Sequence, residues 1–144
     1  MAAERTAQVS WSGNLLSGTG KVEFTGSGAL AGADMTWASR SEPDEGGRTS
    51  PEELIAAAHA SCFSMALSYG LAEAGHPPDR LDVKATSTFV PGTGITAMKL
   101  DVTGRVQGMD DAAFKEAARN AAETCPVSQA LKGNVEITVD AHLG

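Results

Sequence analysis

Thr49-Ser50-Pro51-Glu52-Glu53-Leu54-Ile55-Ala56-Ala57-Ala58-His59-Ala60-Ser61-Cys62-Phe63-Ser64-Met65-Ala66-Leu67 is the stretch whose reading decides the fold. Ser50 suits an N-cap, Pro51 the first helical position, and Glu53 the place where a capping box closes. Alanine dominates the turns that follow, and nothing breaks the run before Gly75, Pro77 and Pro78. The pattern predicts a long helix over 51–74. Leu54, Ala58, Cys62, Met65 and Tyr69 fall on one stripe of it, with Ile55, His59, Phe63 and Ala66 close beside. Few charges interrupt the helix between Glu53 and Glu73. A helix this apolar needs cover on most sides, more than one small domain supplies, so a dimer is expected.

Outward from the helix, the N-terminal side reads as strands. Ala7, Val9 and Trp11 alternate with Thr6, Gln8, Ser10 and Ser12. After the Gly18-Thr19-Gly20 turn, Val22 and Phe24 continue as a second strand, and Met35-Thr36-Trp37 makes a short third one. This is a meander over 6–37. Residues 38–50 are polar, contain Pro43, Gly46 and Gly47, and read as a loop feeding the helix. On the C-terminal side two strands alternate, Leu81 to Phe89 and Met98 to Val106, joined by a turn at Pro91-Gly92-Thr93-Gly94. A second helix starts at Asp110 or Asp111 and buries Ala113, Phe114, Ala117, Ala118, Ala121 and Ala122. Cys125-Pro126 interrupts it, since proline lacks an N–H and disfavours helix at the residue before it. One more turn, Val127 to Leu131, closes at Gly133, and Val135, Ile137, Val139 and Ala141 form a last strand. The fold class is α+β with largely antiparallel sheet, in one domain over 1–144 with its later strands and second helix at 81–143.

Composition narrows the function. Eleven basic against eighteen acidic residues give a net charge of −7. Nucleic acid and anionic membranes both select basic surfaces, so neither is an expected partner. No run of 18 apolar residues occurs, and the N-terminus lacks a signal-peptide core, so a cytoplasmic protein is expected with no membrane span. The three histidines are scattered and no metal-binding spacing occurs, so no metal is expected. Two cysteines remain as candidate chemistry. Cys62, in mid-helix, is too far from the helix N-terminus for the dipole to hold a thiolate, and a lone helical cysteine commonly serves as a small core residue. Cys125, at the N-cap of a turn begun by Pro126, has backbone amides that lower its pKa. Both lie on Ala-rich surfaces that pack against other helices. If these surfaces meet, the thiols can pair reversibly once their α-carbons come within ~7 Å.

The segment from Ser50 to Leu67 closely resembles the signature of the OsmC/Ohr family, the osmotically induced and organic hydroperoxide resistance proteins of bacteria. Thr124-Cys125-Pro126-Val127-Ser128-Gln129-Ala130-Leu131 resembles the family's second cysteine motif. Length and element order fit too, so the resemblance spans nearly the whole chain. His59 and the Ala-Leu after Ser64-Met65 look more like the OsmC branch. The resemblance implies an intertwined homodimer with antiparallel sheets around a long central helix and a second, Cys-bearing helix. It also implies a cysteine peroxidase with no cofactor, two active sites at the dimer interface, and a lipoyl-type dithiol as reductant. Carried over by position, Cys62 is the peroxidatic thiol and Cys125 the resolving one, against the local argument that makes Cys125 the more acidic. Glu52 matches the active-site glutamate and Arg40 the activating arginine, with Arg48 as its rival.

The implied chemistry is physically coherent. The attacking sulfur must be a thiolate. Arg40 would supply the cation that the helix cannot, and Glu52 would hold the guanidinium in a planar fork. Glu52 precedes Cys62 by ten residues, ~15 Å along a continuous helix. Within one helix the two cannot meet, so Glu52 is expected to serve the partner subunit's site. Phe63, Met65 and Tyr69 are expected to line an apolar pocket for bulky organic hydroperoxides, with core packing as their ordinary alternative. His59, one turn before Cys62, reads as a core or interface histidine rather than half of a Cys–His pair. The alternative to a peroxidase is a non-catalytic redox-sensing or small-molecule-binding dimer in which the cysteines act as a switch.

Overall fold

β1 (Ala7–Ser12), β2 (Thr19–Thr25) and β3 (Asp34–Met35) form an antiparallel sheet in that order. It belongs to the first of two units into which the chain divides, residues 1–51 and 52–144; the computed structural model describes residues 2–144. Gly20 lies opposite Trp11, and a Cβ there would stand 2.8 Å from the Trp11 ring. The glycine lets the indole lie flat across the neighbouring strand. The expected third strand is shorter than its reading, because Trp37 opens a helix, α1 (Trp37–Ser41), within the segment read as strand and loop. A reciprocal capping box starts it: Ser39 N donates to Thr36 Oγ1 at 3.0 Å, and Thr36 N to Ser39 Oγ at 2.9 Å. The rest of the loop folds back. Thr49 N donates to Asp34 O at 2.9 Å, and Arg48 pairs with Asp34 at 3.3 Å.

The second unit is built on α2 (Pro51–Glu73). It ends in a Schellman motif, with His76 N donating to Leu71 O at 2.8 Å, Gly75 N to Ala72 O at 3.0 Å, and Gly75 at φ +86°. Fully buried residues recur at every fourth position, His59, Phe63, Leu67 and Leu71. This corrects the expected stripe: Met65 and Tyr69 are 72% and 70% exposed. The helix is therefore not covered on most sides by its own chain. By length and composition, with a mean hydropathy of 1.4 over 18 residues, it could also cross a membrane. That departs from the count of uninterrupted apolar residues, because Ser and Gly break the run at little hydropathic cost. Phe63, Leu67 and Leu71 instead join the protein core.

Strands β4 (Arg80–Val90) and β5 (Gly94–Arg105) pair antiparallel along their whole length. Thr93 N donates to Val90 O at 2.9 Å across Pro91-Gly92, with Gly92 at φ +82°, the conformation a type II turn needs at that position. β6 (Glu136–Leu143) pairs with β5 in parallel, which requires a crossover. The crossover is α3 (Asp111–Thr124) followed by α4 (Pro126–Leu131). Asp110 caps α3 by accepting from Ala113 N at 2.8 Å. Leu100 and Val102 of the central strand, Phe114, Ala118 and Ala121 of α3, Cys125 and Ala141 close one core with the buried face of α2. Fit is tight at Gly104, where a Cβ would meet the Phe114 ring at 2.4 Å.

Candidate active site

The core brings together the two cysteines that the sequence singles out. Cys62 lies in the middle of α2, half-buried at the edge of the core, and Cys125 is fully buried between α3 and α4. Both are free thiols, and they stand near enough to shift each other's ionisation. The surfaces read as helix-packing share one core, which Cys125 enters and against which Cys62 packs.

Their electrostatics differ. Burial pushes the Cys62 thiol up from the ordinary value of 9.0; the Val127 amide pulls it down, and Cys125 adds to the rise through hydrogen bond and charge. For Cys125 burial is again the largest single influence and acts upward. It is outweighed by the Ser128 amide, Cys62, the Ser128 hydroxyl and the Val127 amide, so the thiol ends below 9.0. The cause is local geometry. Pro126 keeps Cys125 out of the helical region, at φ −60° and ψ 120°, and starts α4 one residue later. Cys125 thereby becomes N-cap of α4. Its sulfur makes no capping hydrogen bond of normal geometry, but the amides of the first turn face it and favour its charge.

Ser128 was not singled out by its sequence position. It stands three residues after Cys125, where an N-cap side chain finds its amide, and it is buried. Its Oγ lies 2.7 Å from His59 Nε2. The nitrogen on the other side of that ring, Nδ1, is buried with no hydrogen-bond partner. Burial lowers the His59 pKa and keeps the imidazole neutral. His59 thus points at Ser128 and does not pair with Cys62, in line with its reading as a core residue.

Glu52 and the expected apolar residues fall elsewhere. Glu52 is buried in the first turn of α2, on the same helix as Cys62 and ~15 Å along it. Arg40 is half-buried in the last turn of α1. Arg48, its rival, holds Asp34. Phe63, Met65 and Tyr69 do not come together: Phe63 sits in the core, while Met65 and Tyr69 line a shallow groove of about 570 Å³ with Ala72, Pro78 and Leu81. Tyr69 also borders a second, more apolar groove of about 540 Å³, with Ala66, Met109, Ala117 and Ala121. Cys62 lines neither groove.

A half-buried thiol packed against the core that holds a second, fully buried one, inside this α+β frame, defines a dithiol protein. The family model for OsmC-like protein matches residues 44–140, so the chain belongs to the OsmC family. It is 40% identical to peroxiredoxin OsmC of Escherichia coli K12 over 146 residues, which cover 99% of each chain. To organic hydroperoxide resistance protein OhrA of Bacillus subtilis it is 30% identical, over 64% of this chain and 66% of that one. The full-length match thus lies on the OsmC side. Among solved structures, the organic hydroperoxide resistance protein OhrB of Bacillus subtilis superposes with a TM-score of 0.66 at 26% identity, covering 94% of this chain and 97% of the other. An OsmC-like protein of unknown function from Vibrio cholerae gives 0.72 at 16% identity, covering 97% and 99%, and attests the fold.

Proposed function

We propose that this chain is a thiol-dependent peroxidase that reduces organic hydroperoxides to alcohols. The observation that carries the reading is the pair of free thiols at one core, Cys62 half-buried and Cys125 buried, in a chain 40% identical to a peroxiredoxin OsmC along its whole length. Burial supports the division of roles. A peroxide must reach the sulfur it oxidises, and of the two only Cys62 has exposed surface. The Cys62 thiolate attacks one oxygen of ROOH. The O–O bond breaks, the alkoxide leaves and takes a proton to become ROH, and Cys62 is left as sulfenic acid. The Cys125 thiolate then attacks that sulfur. An S–S bond forms, the S–O bond breaks, and hydroxide leaves to be protonated to water. An external dithiol returns the pair to the reduced state by exchange, becoming a disulfide itself.

Cys62 needs a cation for the first step, because its own surroundings raise its pKa. Arg40 takes that role, as the resemblance to the family implies, held by a glutamate at the Glu52 position. Since Glu52 lies ~15 Å from Cys62 on one helix, it serves the site of a second copy. The exposed Met65 and Tyr69, on a helix with no Asp, Glu, Lys or Arg between Glu53 and Glu73, support a homodimer built on that face, where both would border substrate.

The test is a coupled assay with cumene hydroperoxide and a lipoyl-type dithiol, comparing wild type with Cys62→Ser. Turnover falling to the uncatalysed background is the expected result. Undiminished turnover sinks the assignment, and a wild type that oxidises once and resists recycling belongs instead to a redox switch.

A further inference from the structure

To reduce a Cys62–Cys125 disulfide, an incoming thiolate must touch one of its sulfurs, and the two residues are not equally open. Cys125 is 0% exposed, whereas Cys62 keeps accessible surface. The element that carries Cys125 at its head is slight. α4 has six residues, too few for a helix to hold itself together, and it lies between Pro126 and Gly133 at φ +91°. Ser128, Gln129 and Lys132 of α4 line an open groove of about 410 Å³, which Cys125 does not reach. α4 therefore has solvent on one flank and the core on the other. Its tie to the core is polar. Ser128 Oγ lies 2.7 Å from His59 Nε2 of α2, and both residues are buried. His59 Nδ1 is buried without a partner, so a proton there would be an orphaned donor. The ring proton belongs on Nε2 and is donated to Ser128 Oγ.

We infer that the external dithiol enters at Cys62 alone, and that the bond from His59 to Ser128 enforces this by holding α4 shut over Cys125; the inference rests on the peroxidase reading above, which supplies the disulfide. The incoming thiolate bonds to Cys62 Sγ. The Cys62–Cys125 bond breaks with its electron pair on Cys125, which leaves as a thiolate and takes up a proton. The second thiolate of the reductant then attacks the reductant's own sulfur in the mixed disulfide, and Cys62 leaves in turn. Two electrons pass to the protein, and the reductant ends as a disulfide. Hydroperoxide and reductant thus use one opening, one after the other. His59 and Ser128 touch neither of them and act as positioning residues.

Two measurements test this. In the first, peroxide-oxidised protein is mixed briefly with 2-mercaptoethanol and quenched with N-ethylmaleimide, and peptide mass spectrometry locates the mixed disulfide. It is expected on Cys62, with maleimide on Cys125; the reverse pattern at the earliest times overturns the inference. In the second, the rate at which N-ethylmaleimide labels Cys125 in Cys62→Ser reads how often α4 opens. Adding Ser128→Ala is expected to speed labelling about ten-fold, the worth of one buried hydrogen bond. His59→Gln keeps an N–H donor at the reach of Nε2 and is expected to stay closer to the parent than His59→Leu. Val102→Ala loosens the core on β5 and is expected to leave labelling as it was, which separates opening of α4 from general destabilisation. Labelling unchanged by Ser128→Ala, sped equally by Val102→Ala, or sped as much by His59→Gln as by His59→Leu overturns the inference while the peroxidase reading stands. A wild type in which hydroperoxide forms no disulfide removes both.

Discussion

The middle of α2 and the junction of α3 with α4 each present one thiol, and they treat it in opposite ways. At the middle of a continuous helix every nearby amide is already committed to a carbonyl one turn back, so Cys62 receives little backbone help, and burial raises its pKa. At the junction, Pro126 restarts the helix, and the amides of the new first turn have no helical partners. They face Cys125, together with Ser128, and draw its pKa down despite complete burial. The activated sulfur is thus the one no substrate reaches, and the reachable sulfur is the unactivated one. A single-cysteine enzyme could not work on either site alone. On the proposed function a division of labour resolves the mismatch: Cys62 would meet the peroxide with a cation supplied from elsewhere, and Cys125 would wait as an internal nucleophile.

The largest effect expected from breaking this comparison comes from Cys125→Ser. If the junction only resolves, the variant consumes about one equivalent of hydroperoxide per chain at a rate near wild type. It then stops, and Cys62 advances to sulfinic and sulfonic acid, which mass spectrometry of the peptide around Cys62 detects. Steady-state turnover at the wild-type level would mean that the junction thiol is dispensable and the contrast without function.

A second expectation concerns α2 itself. Phe63 and Met65 are two residues apart, yet one is fully buried and the other 72% exposed. Phe63→Ala is expected to cost about 3–5 kcal/mol of stability, as large-to-small changes in a packed core do. Met65→Ala is expected to change the stability of the isolated chain by no more than about 0.5 kcal/mol. Denaturant unfolding of both variants at low and at high protein concentration sharpens this. A Met65 cost that appears only at high concentration marks the exposed face as the one a second copy covers.

Which face of α2 turns inward was the least legible feature of the sequence. Alanine and leucine surround the axis, so a 3.6-residue period has no contrast to follow, and the stripe through Met65 and Tyr69 read as well as the one through Phe63, Leu67 and Leu71. The ends of the helix were legible because its punctuation is chemical: Pro51 at the start, Gly75 at a positive φ at the stop. α1 escaped notice because five residues carry no period and its capping box closes on Ser39 rather than on Glu or Gln. The parallel pairing of β6 lay in the long connection through two helices rather than in any strand residue. At the site, Cys125-Pro126 announced its own geometry. The bond between His59 and Ser128 joins residues far apart in the chain, and no local pattern encodes it.

Proline at position 126 offers the subtlest way to test the contrast, because it carries the geometry without touching either sulfur's chemistry. It holds Cys125 extended and leaves the amides of α4 open. With alanine there, an N–H returns and Cys125 can adopt helical angles, so α3 can run on into α4 as one helix. Stability should change by less than about 1 kcal/mol, since a proline at the first helical position contributes mainly by restricting the unfolded chain. The thiols should respond more. In the wild type the Cys125 surroundings lower its thiol from the ordinary value of 9.0 and those of Cys62 raise its own, so two separate deprotonation steps are expected. Ultraviolet thiolate absorbance against pH resolves the two steps. In Pro126→Ala the lower step is expected to move up toward 9.0, bringing Cys125 closer to the environment of Cys62. If the lower step stays where it was, the helix restart is not what acidifies Cys125, and the burden passes to Ser128 and Cys62.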